Sequence, residues 1–380
     1  METGDDAPAQ VRRAPGRDAA ARLEGKRIVC LTKYEPLGAS SRMRFHLYQP
    51  WLEAAGASVE FRPLLPDSYI EDLYSGRPTN RFRVLRCYVR RFFDALRGGA
   101  DLFWIEKELF PYLPSFAEWP MARGRTPYAV DYDDAIFHNY DRHSRAVVRR
   151  VLGNKLSPLL QNAALVTAGN SYLARYVTER GAKRVEVIPT VVDAARYGGR
   201  PEPRDTMVRV GWIGTKTNAD YLAPVLRAIA AAQDRVPIRL VTVGIDPVPD
   251  LSFPQENHVW SEDTEADIVG SFDIGLMPLA DTPWEQGKCG YKLIQCMAAG
   301  RPVIASAVGA NCDIVTGETG RLVSSEEDWL AALLELAGDR ALRRRMGAAA
   351  RERVVSHYSA QAVAPAVIAA FADILGPSPR

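Results

Sequence analysis

The sequence contains no long apolar run. No stretch reaches the roughly 18 uninterrupted apolar residues that a membrane-spanning helix needs, which predicts a protein that is soluble or bound only to a membrane surface. Residues 1 to about 25 are rich in alanine, arginine, aspartate and proline, so they resemble neither a secretory signal nor a spanning helix. We predict a disordered tail there.

Cysteine pairs and a strong net charge are also absent. The five cysteines are widely scattered and form no CxxC pair, which argues against a disulfide framework and a zinc site and fits a reducing cytoplasm. The formal net charge of +2 is too small to predict a nucleic-acid partner. No GxGxxG follows the first strand of either half, which disfavours a Rossmann dehydrogenase.

The sequence does contain two successive β-α-β patterns, as expected of a chain of 380 residues, which is too long for one hydrophobic core. Short apolar runs predict buried parallel strands at 27–32, 58–61, 102–105, 128–131, 165–168 and 185–188, and then at 208–213, 239–243, 274–277 and 302–305. We therefore predict an α/β protein with two Rossmann-like domains, 26–196 and 207–355, whose parallel sheets face each other across a cleft. Residues 197–206 are the predicted linker, and 356–380 the predicted C-terminal helix and tail.

The most informative segment is 283–306, in which a glycine-containing loop opens a helix that ends at Gly300 before a buried strand. The first turn of a helix has unpaired N–H donors and the positive end of the macrodipole, and therefore attracts anions. Lys288 and Lys292 lie four residues apart there, so both can point to one side and hold a diphosphate. The alternative is a solvated lysine pair on an ordinary surface helix.

This segment resembles the signature of two-domain GT-B glycosyltransferases, specifically those similar to family 4, the glycosyl transferases group 1. The family's two glutamates are followed by a set of residues that this sequence matches at Met297-Ala298, Gly300, Pro302-Val303 and Gly309. The resemblance covers about 207 to 360 and is weaker before it. It implies transfer of a sugar, with retention of configuration, from a nucleoside-diphosphate sugar to a hydroxyl acceptor, with no cofactor and no metal.

Both motif glutamates are replaced in this sequence. Counting back from Met297, the second glutamate, which contacts the ribose in the family, falls on Gln295, and the first, near the donor sugar, falls on Gly287. Gln295 can still hydrogen-bond a ribose hydroxyl. Glu285 is the nearby candidate to replace the first carboxylate, unless that role is lost.

The first strand of the second half is also followed by a departure from the family. Family members often carry an Arg and then a Lys at two positions where this sequence has Thr215 and, approximately, Asp220. Lys216 is therefore a further candidate to neutralise the phosphates, and a surface role is its alternative. The predicted donor-binding residues are Gly38, Gly214, Lys216, Glu285, Gly287, Lys288, Gly290, Lys292 and Gln295.

In the first half, residues 38–44 lie between a strand and a helix and resemble the family's first loop, which approaches the donor phosphates. Gly38 permits close backbone approach, and Arg42 or Arg44 can add positive charge. The alternative is a helix start with solvated arginines.

An acidic cluster follows the predicted strand 128–131. It places Asp133 and Asp134 where related enzymes often have a His-Asp pair, so we predict that they bind hydroxyls or that one acts as a base. A metal site is the weaker interpretation. Glu106 faces the same cleft or is a surface residue. The predicted catalytic residues are Asp133, Asp134 and Lys292.

Residues 81–97 form a basic and aromatic helix with one broad apolar face. The favoured interpretation is a helix packed on the core with a solvated basic side. The alternative is contact with an anionic membrane, as expected for an enzyme that glycosylates a lipid-linked acceptor.

The predicted function is thus glycosyl transfer in the cytoplasm, or at the inner face of a membrane, to a glycan, lipid-linked or small-molecule acceptor in surface glycan or glycolipid assembly. A nucleotide-sugar epimerase or hydrolase on the same framework is an alternative, because fold alone does not fix the reaction. A second alternative is a catalytically degenerate GT-B scaffold, which the two lost glutamates favour and the retained lysines and glycines oppose.

Overall fold

The computed structural model describes residues 17–198 and 206–376. The chain divides into two compact units: the first ends at Thr190 and resumes at Val363, and the second runs from Val191 to Ala362. Each unit has its own six-stranded sheet, in which all neighbouring strands are parallel. The prediction of two Rossmann-like α/β domains is confirmed.

The sheet of the first unit has the strand order β2-β1-β3-β4-β5-β6. Its strands are β1 (Arg27–Leu31), β2 (Ser58–Phe61), β3 (Leu102–Glu106), β4 (Tyr128–Tyr132), β5 (Leu165–Ala168) and β6 (Val185–Val187). Its helices are α1 (Arg17–Leu23), α2 (Ala39–Arg44), α3 (Gln49–Ala54), α4 (Asp67–Tyr74), α5 (Arg81–Leu96), α6 (Trp119–Ala122), α7 (His138–Asp141), α8 (Ala146–Leu152), α9 (Ser157–Asn162) and α10 (Ser171–Glu179), with 3₁₀ turns at His46–Tyr48 and Ser115–Glu118.

The sheet of the second unit has the order β12-β11-β10-β7-β8-β9. Its strands are β7 (Val208–Ile213), β8 (Ile238–Val243), β9 (Gln255–His258), β10 (Ile274–Met277), β11 (Val303–Ser306) and β12 (Gly320–Val323). After a 3₁₀ turn at Lys216–Leu222 come the helices α11 (Ala223–Ala232), α12 (Glu262–Gly270), α13 (Pro283–Gln286), α14 (Tyr291–Ala298), α15 (Asn311–Ile314), α16 (Glu326–Gly338) and α17 (Arg340–His357). The last helix is α18 (Ala360–Leu375).

Each sheet has one point where the strand order reverses. The central strands are buried along almost their whole length because helices cover both faces of a parallel sheet. The chain moves outwards from β1 to β2 and then resumes on the other side of β1 with β3; in the second unit the reversal lies between β7 and β10. Crevices at the carboxyl ends of such neighbouring strands are where open α/β sheets bind ligands. These two places are where the candidate side chains are found.

The ends of the predicted domains differ from the observed units. Residues 1–16 of the predicted tail lie outside the described part of the chain, whereas residues 17–23 form α1, whose Leu23 is fully buried. Residues 199–205 of the predicted linker are likewise not described, and Tyr197 is buried in the core of the second unit. The C-terminal helix returns to the first unit, where Phe371 packs edge-on against Trp104 with ring centroids 5.0 Å apart.

Two strands were missed by the sequence prediction. β9 has the sequence Gln-Glu-Asn-His and is only partly buried, and β12 lies at the opposite edge of the same sheet. Both are edge strands that contain polar residues and are incompletely buried, so they lack the continuous apolar run that identifies the central strands.

The favoured interpretation of residues 81–97, a helix whose apolar face packs on the core, was wrong. The segment is helical, as α5, but its apolar side chains face solvent: Phe82 is 85% exposed and Phe93 55%. Among the described residues, no helix combines the length and apolarity required to cross a membrane.

Candidate functional site

In the second unit, the loops that follow β7 and β10 meet where the strand order reverses. The hydroxyl of Tyr221, in the 3₁₀ turn after β7, donates to the carboxylate of Glu285 in α13, and the hydroxyl of Thr282 donates to the same carboxylate. Glu285 is buried. Its carboxylate therefore joins the two loops and fixes the chain that leads into α14.

Glycines keep the backbone of this region close to its neighbours. A Cβ on Gly214 would lie 1.9 Å from the ring of Trp212, and one on Gly290 would lie 2.3 Å from Cδ1 of Ile314. Gly290 is the N-cap of α14 and has φ +65°, in the left-handed region that favours glycine. No side-chain hydrogen bond caps this helix start. The first N–H groups of a helix have no acceptor in a preceding turn, which favours an anion at such a position.

Two lysines flank the start of α14. The Nζ of Lys292 lies 5.0 Å from the ring centroid of Trp212, and the Nζ of Lys288 lies 5.9 Å from that of Trp284. Burial, with a smaller contribution from the positive charge of Lys288, lowers the pKa of Lys292 to about 7. Across residues 17–198 and 206–376, no carboxylate pairs with the Lys292 ammonium.

The ammonium of Lys292 is partly buried and has an aromatic ring and a second cation beside it. Its positive charge is therefore poorly compensated. An anion bound beside it would offset both the loss of hydration and the repulsion between the two lysines. Trp212 was not singled out from the sequence, although it is the penultimate residue of β7, next to the predicted loop. The structure thus brings Gly214, Glu285, Lys288, Gly290 and Lys292 together at one end of the sheet.

Three other residues that were predicted to bind the donor do not belong to this group. Gln295 is 1% exposed, and its amide donates to the hydroxyl of Tyr197 at 2.8 Å, which in turn donates to Glu265. Lys216 is largely exposed and pairs with Asp246 at 2.7 Å. Gly287 ends α13 and donates its N–H to the carbonyl of Trp284 at 3.1 Å.

The other positions discussed from the sequence in this region are solvent-facing. Thr215 and Asp220, which stand where the family often has basic residues, are both exposed. They therefore add no positive charge at the reversal point.

A second cluster of polar side chains lies at the reversal point of the first unit. The ammonium of Lys107, directly after β3, is 2.8 Å from Oδ1 of Asp133 and donates to the hydroxyl of Ser40 at 3.0 Å. Glu106 accepts from the hydroxyl of Ser41 at 2.6 Å, and burial raises the pKa of Glu106. Glu106 is 2% exposed, so it is not a surface residue.

Asp133 is held in its ionised form by this cluster. Burial alone would raise the pKa of Asp133, but the ammonium of Lys107 and the guanidinium of Arg44 lower it below its usual value. Lys107 was not identified from the sequence, although it follows Glu106 at the end of a strand. Asp134 has a different environment: it accepts the N–H of Ala135 at 3.1 Å and is partly exposed.

The arginines of the 38–44 segment have structural partners. Arg44 is 1% exposed and donates to both carboxylate oxygens of Asp131, at 2.9 and 2.6 Å, and to the carbonyl of Ile188 at 2.8 Å. It is therefore a buried ion pair and neither a phosphate ligand nor a solvated arginine. Arg42 donates to the carbonyl of Pro36 at 2.8 Å. Gly38 is needed for packing, because a Cβ there would lie 2.5 Å from Cβ of Tyr34.

The comparison with protein families identifies the second unit. Residues 204–339 match the model of the glycosyl transferases group 1. Most of the second unit is therefore similar to a group 1 glycosyl transferase domain. The resemblance predicted from residues 283–306 is confirmed, and with it the class of enzyme, a glycosyltransferase.

Solved structures share the fold of this glycosyltransferase at low sequence identity. Sucrose-phosphate synthase from Thermosynechococcus elongatus is 19% identical, with a TM-score of 0.65 over 89% of this chain and 96% of that one. Anabaena HepE, solved with UDP and glucose, is 14% identical, with a TM-score of 0.63 over 92% and 100%. WaaG, a glycosyltransferase involved in lipopolysaccharide biosynthesis, is 14% identical, with a TM-score of 0.64 over 90% and 98%.

At these identities the structural likeness shows the fold, and the GT-B prediction is confirmed. No curated protein matches the sequence.

Proposed function

We propose that this glycosyltransferase binds the diphosphate of a nucleoside-diphosphate sugar between Lys288, Lys292 and the start of α14. The observation that carries the proposal is Lys292: its ammonium is partly buried over Trp212, is repelled by Lys288, and has a pKa lowered to about 7. A diphosphate supplies the negative charge that these groups face. Gly214 is required by the packing of the Trp212 ring, since a Cβ there would lie 1.9 Å from that ring.

We propose transfer with retention of configuration. In this mechanism the acceptor hydroxyl attacks the anomeric carbon from the face that the diphosphate leaves. The bond from the anomeric carbon to the diphosphate oxygen breaks, the bond to the acceptor oxygen forms, and the acceptor proton passes to the leaving phosphate oxygen. The two lysines and the N–H groups of α14 stabilise the charge that develops on the diphosphate, as fixed donors do in other transferases.

Asp133 is the proposed acceptor-binding group of the first unit. Its ionised carboxylate accepts a hydrogen bond from a hydroxyl, while Lys107 holds its position and charge. Asp134 is the less favoured candidate because it accepts from its own neighbour in the chain. Ribose recognition by Gln295 is not proposed, since its amide is engaged by Tyr197 in the core.

UDP-sugars are the first donors to test, because a protein with this fold was solved with UDP and glucose. For the acceptor we propose a glycan or lipid-linked hydroxyl in surface glycan assembly, the process in which the similar WaaG takes part. We place the reaction at the cytoplasmic face of a membrane. No divalent ion is needed in this proposal, because Lys288 and Lys292 carry the charge compensation.

The test is a panel of UDP-, GDP-, dTDP- and ADP-sugars, in which nucleotide release and sugar transfer are measured for the wild type, Lys292→Met and a control, Lys183→Met. Lys183 is an exposed lysine of the other unit. Turnover with one nucleotide class, lost in Lys292→Met and kept in the control, supports the proposal, and the product's anomeric configuration tests retention. Nucleotide binding without any turnover would instead support the degenerate scaffold, and equal activity of Lys292→Met would exclude the proposed donor site.

A further inference from the structure

The helix α5 exposes the side chains that a water-facing helix normally buries. Six apolar residues recur at helical spacing and therefore share one face. All six are exposed: Phe82, Leu85, Val89, Phe92, Phe93 and Leu96. The face turned towards the protein carries two ionisable residues, Arg91 and Asp94, which are buried. The outward face is thus suited to an apolar surrounding.

The exposed charges of residues 81–97 are all positive. The only carboxylate of α5 is that of Asp94, which is buried, and five arginines of the segment are exposed: Arg81, Arg83, Arg86, Arg90 and Arg97. Arg83 donates to the hydroxyl of Ser68, and Arg90 donates to the carbonyl of Pro63. Both acceptors are neutral, so the positive charges of these two arginines remain uncompensated. The surface is apolar along its middle and cationic around it.

The apolar surface continues onto the segment that follows β3. The hydroxyl of Tyr88, on α5, donates to the carbonyl of Pro111 at 3.0 Å, and α6 packs against α5. Beside this contact, Tyr112, Phe116 and Trp119 are exposed. We call the exposed residues of 81–97 and 112–119 the α5 patch.

A buried ion cluster fixes the 112–119 part of the patch and removes its negative charge from the surface. Lys155 pairs with Glu108 and with Glu118, the latter at 3.5 Å, and donates to the carbonyl of Phe110 at 2.7 Å. Both glutamates are turned inwards, with side chains 8% and 0% exposed. The aromatic side chains are therefore presented by a fixed segment.

We infer that the α5 patch docks the protein on an anionic phospholipid surface. A helix with aromatic and aliphatic residues on one face and arginines beside them lies in the plane of a bilayer interface, where apolar burial and attraction to anionic headgroups add together. A symmetric contact between two copies would bring two sets of arginines together and is opposed by repulsion. The inference deepens the membrane location in the proposed function, and does not depend on the donor site.

The test is flotation of the full chain with vesicles of phosphatidylcholine, with and without phosphatidylglycerol. Phe82→Asp combined with Phe93→Asp should lower binding at least about tenfold, because each ring leaves the apolar layer. Arg86→Glu combined with Arg97→Glu should lower binding to the anionic vesicles alone, by about fivefold or more per arginine. High salt should weaken binding of the wild type to the same vesicles.

Matched controls come from the second unit: Val259→Asp, at a side chain that is 90% exposed, and Arg235→Glu, also exposed. Both should bind vesicles as the wild type does. The substituted residues of the patch are exposed, so unchanged melting temperatures should show that the variants fold.

Wild type that stays in solution with both vesicles, or α5 variants that bind as tightly as the controls, would overturn the inference. So would concentration-dependent dimerisation that the Phe82→Asp, Phe93→Asp variant abolishes, since the patch would then be an interface between copies. UDP binding in solution should be equal in all of these proteins. Loss of UDP binding with vesicle binding retained would therefore count against the donor site only.

Discussion

Lys292→Met should stabilise the ligand-free protein while it abolishes donor binding. The structure lowers the pKa of Lys292 from 10.5 to about 7, and full expression of that difference would correspond to a cost of about 5 kcal/mol for the charged form. The side chain is only partly buried, and its contact with Trp212 returns about 1–2 kcal/mol. We therefore expect a gain of about 2 kcal/mol from the neutral side chain, which is a rise of about 4–8 °C in the melting temperature of a unit of this size.

The sign of the pH dependence follows from the lowered pKa. Between about pH 7 and pH 10.5 the unfolded chain holds a proton on Lys292 that the folded chain has largely lost. The free energy of unfolding of the wild type should therefore rise with pH across this window through this group, whereas the cost is fully present below about pH 7. In Lys292→Met this contribution should be absent.

Calorimetric melting at about pH 6.5 and about pH 9.5 measures both effects. Lys216→Met is the matched control, because that lysine is exposed and paired with Asp246, and it should change the melting temperature little. A Lys292→Met protein that melts below the wild type at the lower pH would refute the reasoning, since the ammonium would then be stabilising in the absence of donor.

Three further outcomes are expected. Lys107→Met should move the acid limb of kcat/KM to higher pH, because Asp133 then loses the larger of the two positive charges that lower its pKa and keeps only Arg44. Lys107→Arg should restore the limb, and an unmoved limb in Lys107→Met argues against the pair. Gly290→Ala should lower the free energy of unfolding, measured with denaturant, by about 1–3 kcal/mol, because φ is positive there and the new Cβ would lie 2.3 Å from Cδ1 of Ile314. Gly317→Ala, whose Cβ would meet no atom within 4 Å, should leave that free energy nearly unchanged. Transfer should persist in excess EDTA, and its loss would require a metal ion that the proposal omits.

The second unit's site was largely predictable because its chemistry is local in sequence. Lys288, Gly290 and Lys292 belong to one loop and the helix that it opens, so glycine placement and residue spacing were enough to predict a helix start with two cations. The same local argument identified Glu285, although its role as the acceptor of Tyr221 and Thr282 depends on a turn more than sixty residues earlier.

Partners that are distant in sequence could not be predicted. Arg44 was proposed to face phosphates, but its bidentate pair with Asp131 joins residues 87 positions apart. Gln295 was matched to the motif glutamate by counting, and counting does not reveal that Tyr197 occupies its amide. For α5 the helical pattern was correct, but an amphipathic pattern alone does not say which face meets the protein; the burial of Arg91 and Asp94 decides that.

The most direct test of the account is a calorimetric titration of UDP into the wild type and Lys292→Met at about pH 7 and about pH 9. If the bound diphosphate returns the pKa of Lys292 towards its ordinary value, wild-type affinity should fall by about tenfold or more between these pH values, because binding then requires uptake of a proton. Lys292→Met should bind weakly at both. Equal affinity of the two proteins, at either pH, would contradict the assignment of the donor site to Lys292.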